Sequence, residues 1–114
     1  MAFEEWKLAK LENLALDWVN EKFDMEISAF PPGQVSSVME CPIARALNSN
    51  REGTWRVDLI GSGYNPDAPK TLAVEWFGAH ADDLLGSYTA PDEVRLFVEM
   101  FDNGYYPGLI EKGE

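Results

Sequence analysis

Between positions 3 and 23 apolar residues recur at helical spacing. Wound at 3.6 residues per turn, Leu8, Leu11, Leu14, Ala15, Trp18 and Val19 form one broad stripe, with Asn13, Asp17 and Asn20 opposite. Phe3 and Trp6 flank the stripe on one side and Phe23 on the other. Phe30-Pro31-Pro32-Gly33 then marks a turn, because two prolines and a glycine break a helix. Pro42 suits a first helical turn, where its missing N–H costs nothing. Ile43, Ala46 and Leu47 share a face of a short helix that Asn48-Ser49-Asn50 closes. From Thr54 to Ile60 the period becomes two, with Trp55, Val57 and Leu59 on one side and Arg56 and Asp58 on the other. Leu72 to Phe77 repeats it, with Leu72, Val74 and Trp76 opposed to Glu75. The turn-rich stretch Gly61 to Pro69 predicts a hairpin with a long loop.

Two strands alone are marginal, so the hairpin must lie on helices or gain a third strand. Gly78 to Gly86 reads as one short helical turn ending at Gly86. A stronger helix follows, with Thr89 and Asp92 at capping-box spacing, Pro91 and Glu93 in the first turn and Gly104 as the stop. Val94, Phe97, Val98 and Phe101 form its apolar face, widened by Leu96 and Met100; Arg95, Glu99 and Asp102 mark the wet side. Tyr105 to Ile110 is apolar enough to dock back on the body. The expected fold is one compact α+β domain over residues 1–114, two to three helices packed on an antiparallel β-hairpin or small sheet. Trp55, Val57, Leu59, Leu72, Val74 and Trp76 should meet Leu11, Leu14, Trp18, Val94, Phe97 and Phe101.

A chain of 114 residues suits one domain and buries roughly two-thirds of its unfolded surface. A hydrophobic fraction of 46%, with four Trp, four Tyr and six Phe, excludes intrinsic disorder. Cys41 is the sole cysteine, so no intrachain disulfide forms, in keeping with a reducing cytoplasm. The start, Met1-Ala2-Phe3-Glu4-Glu5-Trp6, carries acids where a signal peptide has bases, and no apolar run approaches the roughly 20 residues of a bilayer span. The expectation is a cytoplasmic protein with no membrane contact.

Charge sharpens the picture. Lys and Arg number 9 against 20 Asp and Glu, a net of −11. Residues 31–70 balance at four of each, whereas residues 71–114 hold nine acids against Arg95 and Lys112. So one-sided a balance repels phosphate and attracts basic surfaces.

Cys41-Pro42-Ile43-Ala44-Arg45-Ala46-Leu47, the Trp55-centred strand and the stretch from Pro91 to Phe101-Asp102-Asn103-Gly104-Tyr105-Tyr106-Pro107-Gly108-Leu109-Ile110 resemble small acidic proteins encoded by viruses of actinobacteria, mycobacteriophages among them. Gly108 stands where that pattern usually has an acid. The family has no assigned activity, so the resemblance transfers no catalytic or binding residue. It implies a bacterial host cytoplasm and a role outside central metabolism.

Candidate chemistry is sparse. Cys41 precedes a helix start, which can lower a thiol pKa, but a thiolate also needs a base and His80 is the sole histidine; the expected role is a small packing residue. His80, Asp82 and Asp83 contain ligand atoms for a cation, yet three within four residues rarely close a site, so no metal is expected. Gly61-Ser62-Gly63 lacks the Lys and helix start of a phosphate loop. No nucleophile, base and orienting group can be assembled, so the chain reads as non-enzymatic with no cofactor.

Two binding readings remain. In the first, Glu75, Asp82, Asp83, Asp92, Glu93, Glu99 and Asp102 build a negative face that occupies a basic site of a host or viral protein, anchored by Tyr105 and Tyr106 and one or two Trp. In the second, the Pro42–Leu47 helix with Arg45, and the 54–77 hairpin as a wing, read DNA. The total charge and the lack of a Lys/Arg cluster stand against nucleic acid. An exposed sheet edge leaves a homodimer open.

Overall fold

The computed structural model describes residues 5–35, 37, 39–60, 71–78 and 83–110. Helix α1 (Glu5–Lys22) buries Leu11, Ala15 and Val19, with Leu8 and Trp18 packed at the margin of the core. Leu14, expected in the stripe, is instead 38% exposed, because the covered arc is centred on Ala15. Phe3 lies outside the described residues. The chain leaves α1 through Asp24, whose φ of 54° is left-handed. Asn20 pins the exit by accepting from the Ile27 N–H at 3.0 Å and donating to its carbonyl at 2.9 Å.

Helix α2 (Pro42–Asn50) starts behind Cys41, whose Sγ accepts the Ala44 N–H at 3.4 Å. Pro42, Ile43, Ala44, Ala46 and Leu47 are all buried, so α2 is an internal element. Strands β1 (Thr54–Ile60), β2 (Thr71–Phe77) and β3 (Leu84–Thr89) form an antiparallel sheet in the order β1-β2-β3. Its register sets Trp55 against Trp76, Val57 against Val74 and Val74 against Tyr88, so the alternating apolar positions align on one face. The loop Gly61 to Pro69 lies outside the described residues.

The expected helical turn at Gly78 to Gly86 is corrected by β3. Gly78 donates to the Asp83 carbonyl at 2.9 Å and Leu84 continues as strand. The missed signal has a physical reason. Leu84 and Leu85 are 52% and 51% exposed, and a bulge beside Trp76 breaks the alternation that marks a half-buried strand. The third strand covers the second edge of β2, as a stable sheet of this size requires.

Helix α3 (Asp92–Asp102) buries Val94, Phe97, Val98 and Phe101. The expected capping box does not form: Thr89 ends β3, Pro91 occupies the cap position, and no side chain bonds the first turn. Asp92 and Glu93 supply negative charge there instead, which the helix dipole favours. At the far end Gly104 has φ +85°, and the Gly104 and Tyr105 N–H groups donate to Phe101 and Met100, both at 3.0 Å. Those two bonds make a Schellman stop, for which a left-handed glycine is best suited.

The tail docks. The Tyr106 hydroxyl donates to the Leu8 carbonyl at 2.7 Å, a 3₁₀ turn (Pro107–Leu109) follows, and Ile110 bridges Gly33 in parallel. A Cβ on Gly33 would collide with the backbone of Glu40, Cys41 and Pro42, so this strap closes only over glycine. One core results. Phe23 packs edge-on against Trp18, Trp55 and Tyr88 at 5.6, 5.1 and 5.2 Å, and Phe97 contacts Phe30 and Tyr106 at 5.2 and 5.0 Å. Among the described residues no helix is long and apolar enough to cross a membrane.

Candidate functional site

The acidic residues divide between two parts of the fold. Asp92, Glu93, Glu99 and Asp102 follow one another along α3. Glu75 sits on β2 between Arg56 and Ser87, on the face turned away from Val74 and the core. Asp83 is exposed just before β3, and His80 and Asp82 lie outside the described residues. The α3 acids do not form one face: Asp92 and Glu99 flank Arg95, whereas Glu93 lines a cleft beside Lys7 and Lys10 and Asp102 lines another beside Asp58, and Glu75 lies apart from all four on the outer face of the sheet.

Arg95 decides how much of the α3 charge faces outward. Its Nη1 lies 2.6 Å from Glu99 Oε2 and its Nε 3.7 Å from Asp92 Oδ1. These are i,i+4 and i,i+3 partners on one helix surface. The cation is thus held within its own helix, between a carboxylate of the turn before it and one of the turn after it. Glu93 is exposed and forms no ion pair among the described residues.

The two tyrosines part company. Tyr105 is 38% exposed at the end of α3, whereas Tyr106 is 7% exposed and belongs to the core. Burial, and then the nearby Glu12 charge, push the Tyr106 phenol above its ordinary range; burial also raises the Glu12 carboxyl. Both line a cleft of about 390 Å³ with Leu8, Ala9, Tyr105 and Leu109.

A second cleft, about 330 Å³, lies between α1 and α3 and is lined by Lys7, Lys10, Leu11, Leu14, Glu93 and Leu96 beneath Trp6. Trp6, at 62% exposure, is the most open large apolar side chain described. A third cleft of about 170 Å³ joins Ser37, Cys41, Val57, Asp58, Leu59, Val98 and Asp102. Sequence periodicity placed Asp102 on a wet helix side and Asp58 on a strand's polar side. Their meeting at one cleft depends on how α3 crosses the sheet, which no local pattern encodes.

Cys41 is 2% exposed, and burial pushes its thiol up to about 11 despite the backbone N–H groups of Ala44 and Ile43 that pull it down. Such a thiol stays protonated at neutral pH and is no nucleophile. Among the described residues no group of three or more His, Cys, Asp and Glu could hold a metal ion. Comparison with protein-family models, curated proteins and solved structures gives no match. The chemistry of this chain therefore has to be read from its own residues.

Proposed function

We propose that this is a non-enzymatic protein that binds a host or viral macromolecule through a basic surface, within a bacterial cytoplasm. The observation that carries the reading is the internal engagement of Arg95 with Asp92 and Glu99. Arg95 is the one base between Lys70 and Lys112, so Glu75, Asp83 and Glu93 gain no neutralising partner from it. Exposed Asp83 and Glu93 steer a cationic partner, with exposed Trp6 beside Glu93 as an apolar anchor, while Glu75 lies across from Arg56. The buried, protonated Cys41 supports the absence of catalysis. The resemblance to small acidic proteins of actinobacterial viruses supports the compartment.

A DNA-reading role for α2 has less support. Five of its residues are buried, Arg45 donates to the Pro32 carbonyl at 3.3 Å, and Arg51 donates to the Phe23 carbonyl at 2.7 Å. Those guanidinium groups already brace loops, and phosphate contacts need free cations.

Immobilised protein should retain basic proteins from a bacterial lysate at low ionic strength and release them as salt rises past the point where the screening length falls to about 8 Å. Glu93→Lys should weaken retention by about fivefold, the order of one exposed charge pair. Salt-independent retention, or binding of the protein to heparin at low salt, would overturn the reading.

A further inference from the structure

Between α1 and the docked tail lies the cleft of about 390 Å³, and Glu12 is the only charged residue in its lining. Leu8, Ala9 and Glu12 form the α1 wall; Tyr105, Pro107 and Leu109 belong to the facing one. The facing wall is fixed at two points. The Tyr106 hydroxyl holds it to the Leu8 carbonyl at 2.7 Å, and the Gly33 N–H donates to the Leu109 carbonyl at 2.8 Å. On its own helix Glu12 has Leu8 and Ala9 at i−4 and i−3, and Ala15 and Leu16 at i+3 and i+4. No cation therefore stands at the spacings where helix ion pairs form. Lys7 and Lys10 line the other α1 cleft, beneath Trp6.

Among the described residues no cation and no hydrogen-bond donor meets the Glu12 carboxylate. The residue is nonetheless half-buried, and burial by itself lifts its carboxyl above the ordinary carboxylate range. A partly desolvated carboxylate without a counter-charge is costly, and a cation brought from outside relieves that cost. The apolar walls suit an aliphatic stem, and Tyr105, 38% exposed, adds an aromatic ring on which a guanidinium can stack. Tyr105 also follows the C-terminal end of α3, the negative end of the helix dipole.

We propose that this cleft seats an arginine side chain of the basic partner, its guanidinium on the Glu12 carboxylate and its aliphatic stem along Leu8 and Leu109. The planar guanidinium matches a carboxylate with two parallel bonds, and it is less strongly hydrated than an ammonium, which favours it in a half-dry seat. The inference rests on the basic-partner reading above and names the seat at which that partner's charge is read.

Amide NMR of the full chain tests it, titrated with a capped Ala-Arg-Ala peptide and with the same peptide carrying citrulline, the uncharged isostere of arginine. The Arg peptide should shift the signals of Ala9, Glu12, Gly108 and Leu109, and the citrulline peptide should bind about fivefold more weakly, the order of one ion pair. Glu12→Gln should weaken the Arg peptide by about fivefold as well, whereas Asp17→Asn, which removes one charge from the exposed side of the same helix, should leave it within about twofold. Ala9→Lys, at an exposed position one turn before Glu12, should supply the missing cation from within the helix and block the seat; it carries the test should Glu12→Gln fail to fold. Equal binding of the two peptides, equal losses in Glu12→Gln and Asp17→Asn, or no shifts at the cleft would overturn the proposal. Salt-sensitive capture of basic proteins by Glu12→Gln at undiminished strength would sink this inference while leaving the basic-partner reading intact. Failure of the unaltered chain to retain any basic protein would overturn both.

Discussion

Cys41 caps a helix and fills the core with the same atom. Its Sγ takes the Ala44 N–H while the side chain is enclosed, and burial sets the thiol at about 11 against an ordinary 9.0. The folded chain therefore keeps its thiol proton over a range where the unfolded chain releases it. Stability is complete below the ordinary value and falls as pH climbs towards 11, by roughly 2–3 kcal/mol in all. The Tyr106 phenol, also raised, adds a loss of the same sign above about pH 10. Cys41→Ser should remove the loss that begins near pH 9, and serine's better capping oxygen should hold stability at neutral pH. Urea unfolding at a series of pH values checks this; an unchanged slope between pH 8 and about 10 would show that the thiol is not the titrating group. Pro42 at the first turn was readable because its ring geometry is intrinsic. The cap was not, since sulfur is a weak acceptor and sequence preferences name Ser, Thr, Asp and Asn.

Among the elements, the junction of α2 and β1 depends on one amide. Asn48→Ala would leave the N–H and carbonyl of nearly enclosed Trp55 without partners, at a cost of about 2 kcal/mol. Asn48→Asp keeps an acceptor for the N–H but sets a carboxylate against the carbonyl, so it should fall between. Chemical denaturation with Trp fluorescence reads both; a loss near zero for Asn48→Ala would mean that water replaces the amide. In the sequence Asn48 read only as the end of a short helix, because its partner lies seven positions away across a turn. Strands β1 and β2 were legible from the alternation of Trp55, Val57 and Leu59 and of Leu72, Val74 and Trp76, although Ala73 between Leu72 and Val74 is buried as well. Strand β3 was not: its residues alternate between exposed and half-buried, and Gly86 interrupts the pattern. The capping-box spacing at Thr89 misled for a related reason. Strand pairing held Thr89 in the sheet, and tertiary pairing outweighs a cap worth about 1 kcal/mol.

At the scale of the whole molecule the net charge of −11 was plain in the sequence, but its distribution was not. Only the fold shows that Arg95 serves Asp92 and Glu99, and that Glu75 faces the far side of the sheet. Like charges on one compact body repel, and salt screens that repulsion. The specific pairs move the other way, but Arg45–Glu40 and Arg95–Asp92 are loose, at 3.9 and 3.7 Å, and the half-buried Arg95–Glu99 pair is little screened by salt. Repulsion summed over the excess carboxylates therefore wins. The midpoint of thermal unfolding should rise by several degrees as NaCl goes from about 10 mM to about 500 mM, because about 1 kcal/mol moves a domain of this size by roughly 4–8 °C. Glu75→Gln and Glu93→Gln should each reduce that rise, since each removes one repelling charge without breaking a described ion pair. A melting point that falls with salt would show attractive pairs dominating the fold. Binding has the opposite salt dependence, because a basic partner is held by the same field that strains the free protein. Salt should then stabilise the chain while it loosens the complex. A complex that tightens with salt would place the contact on apolar groups such as Trp6 and remove the carboxylates from recognition.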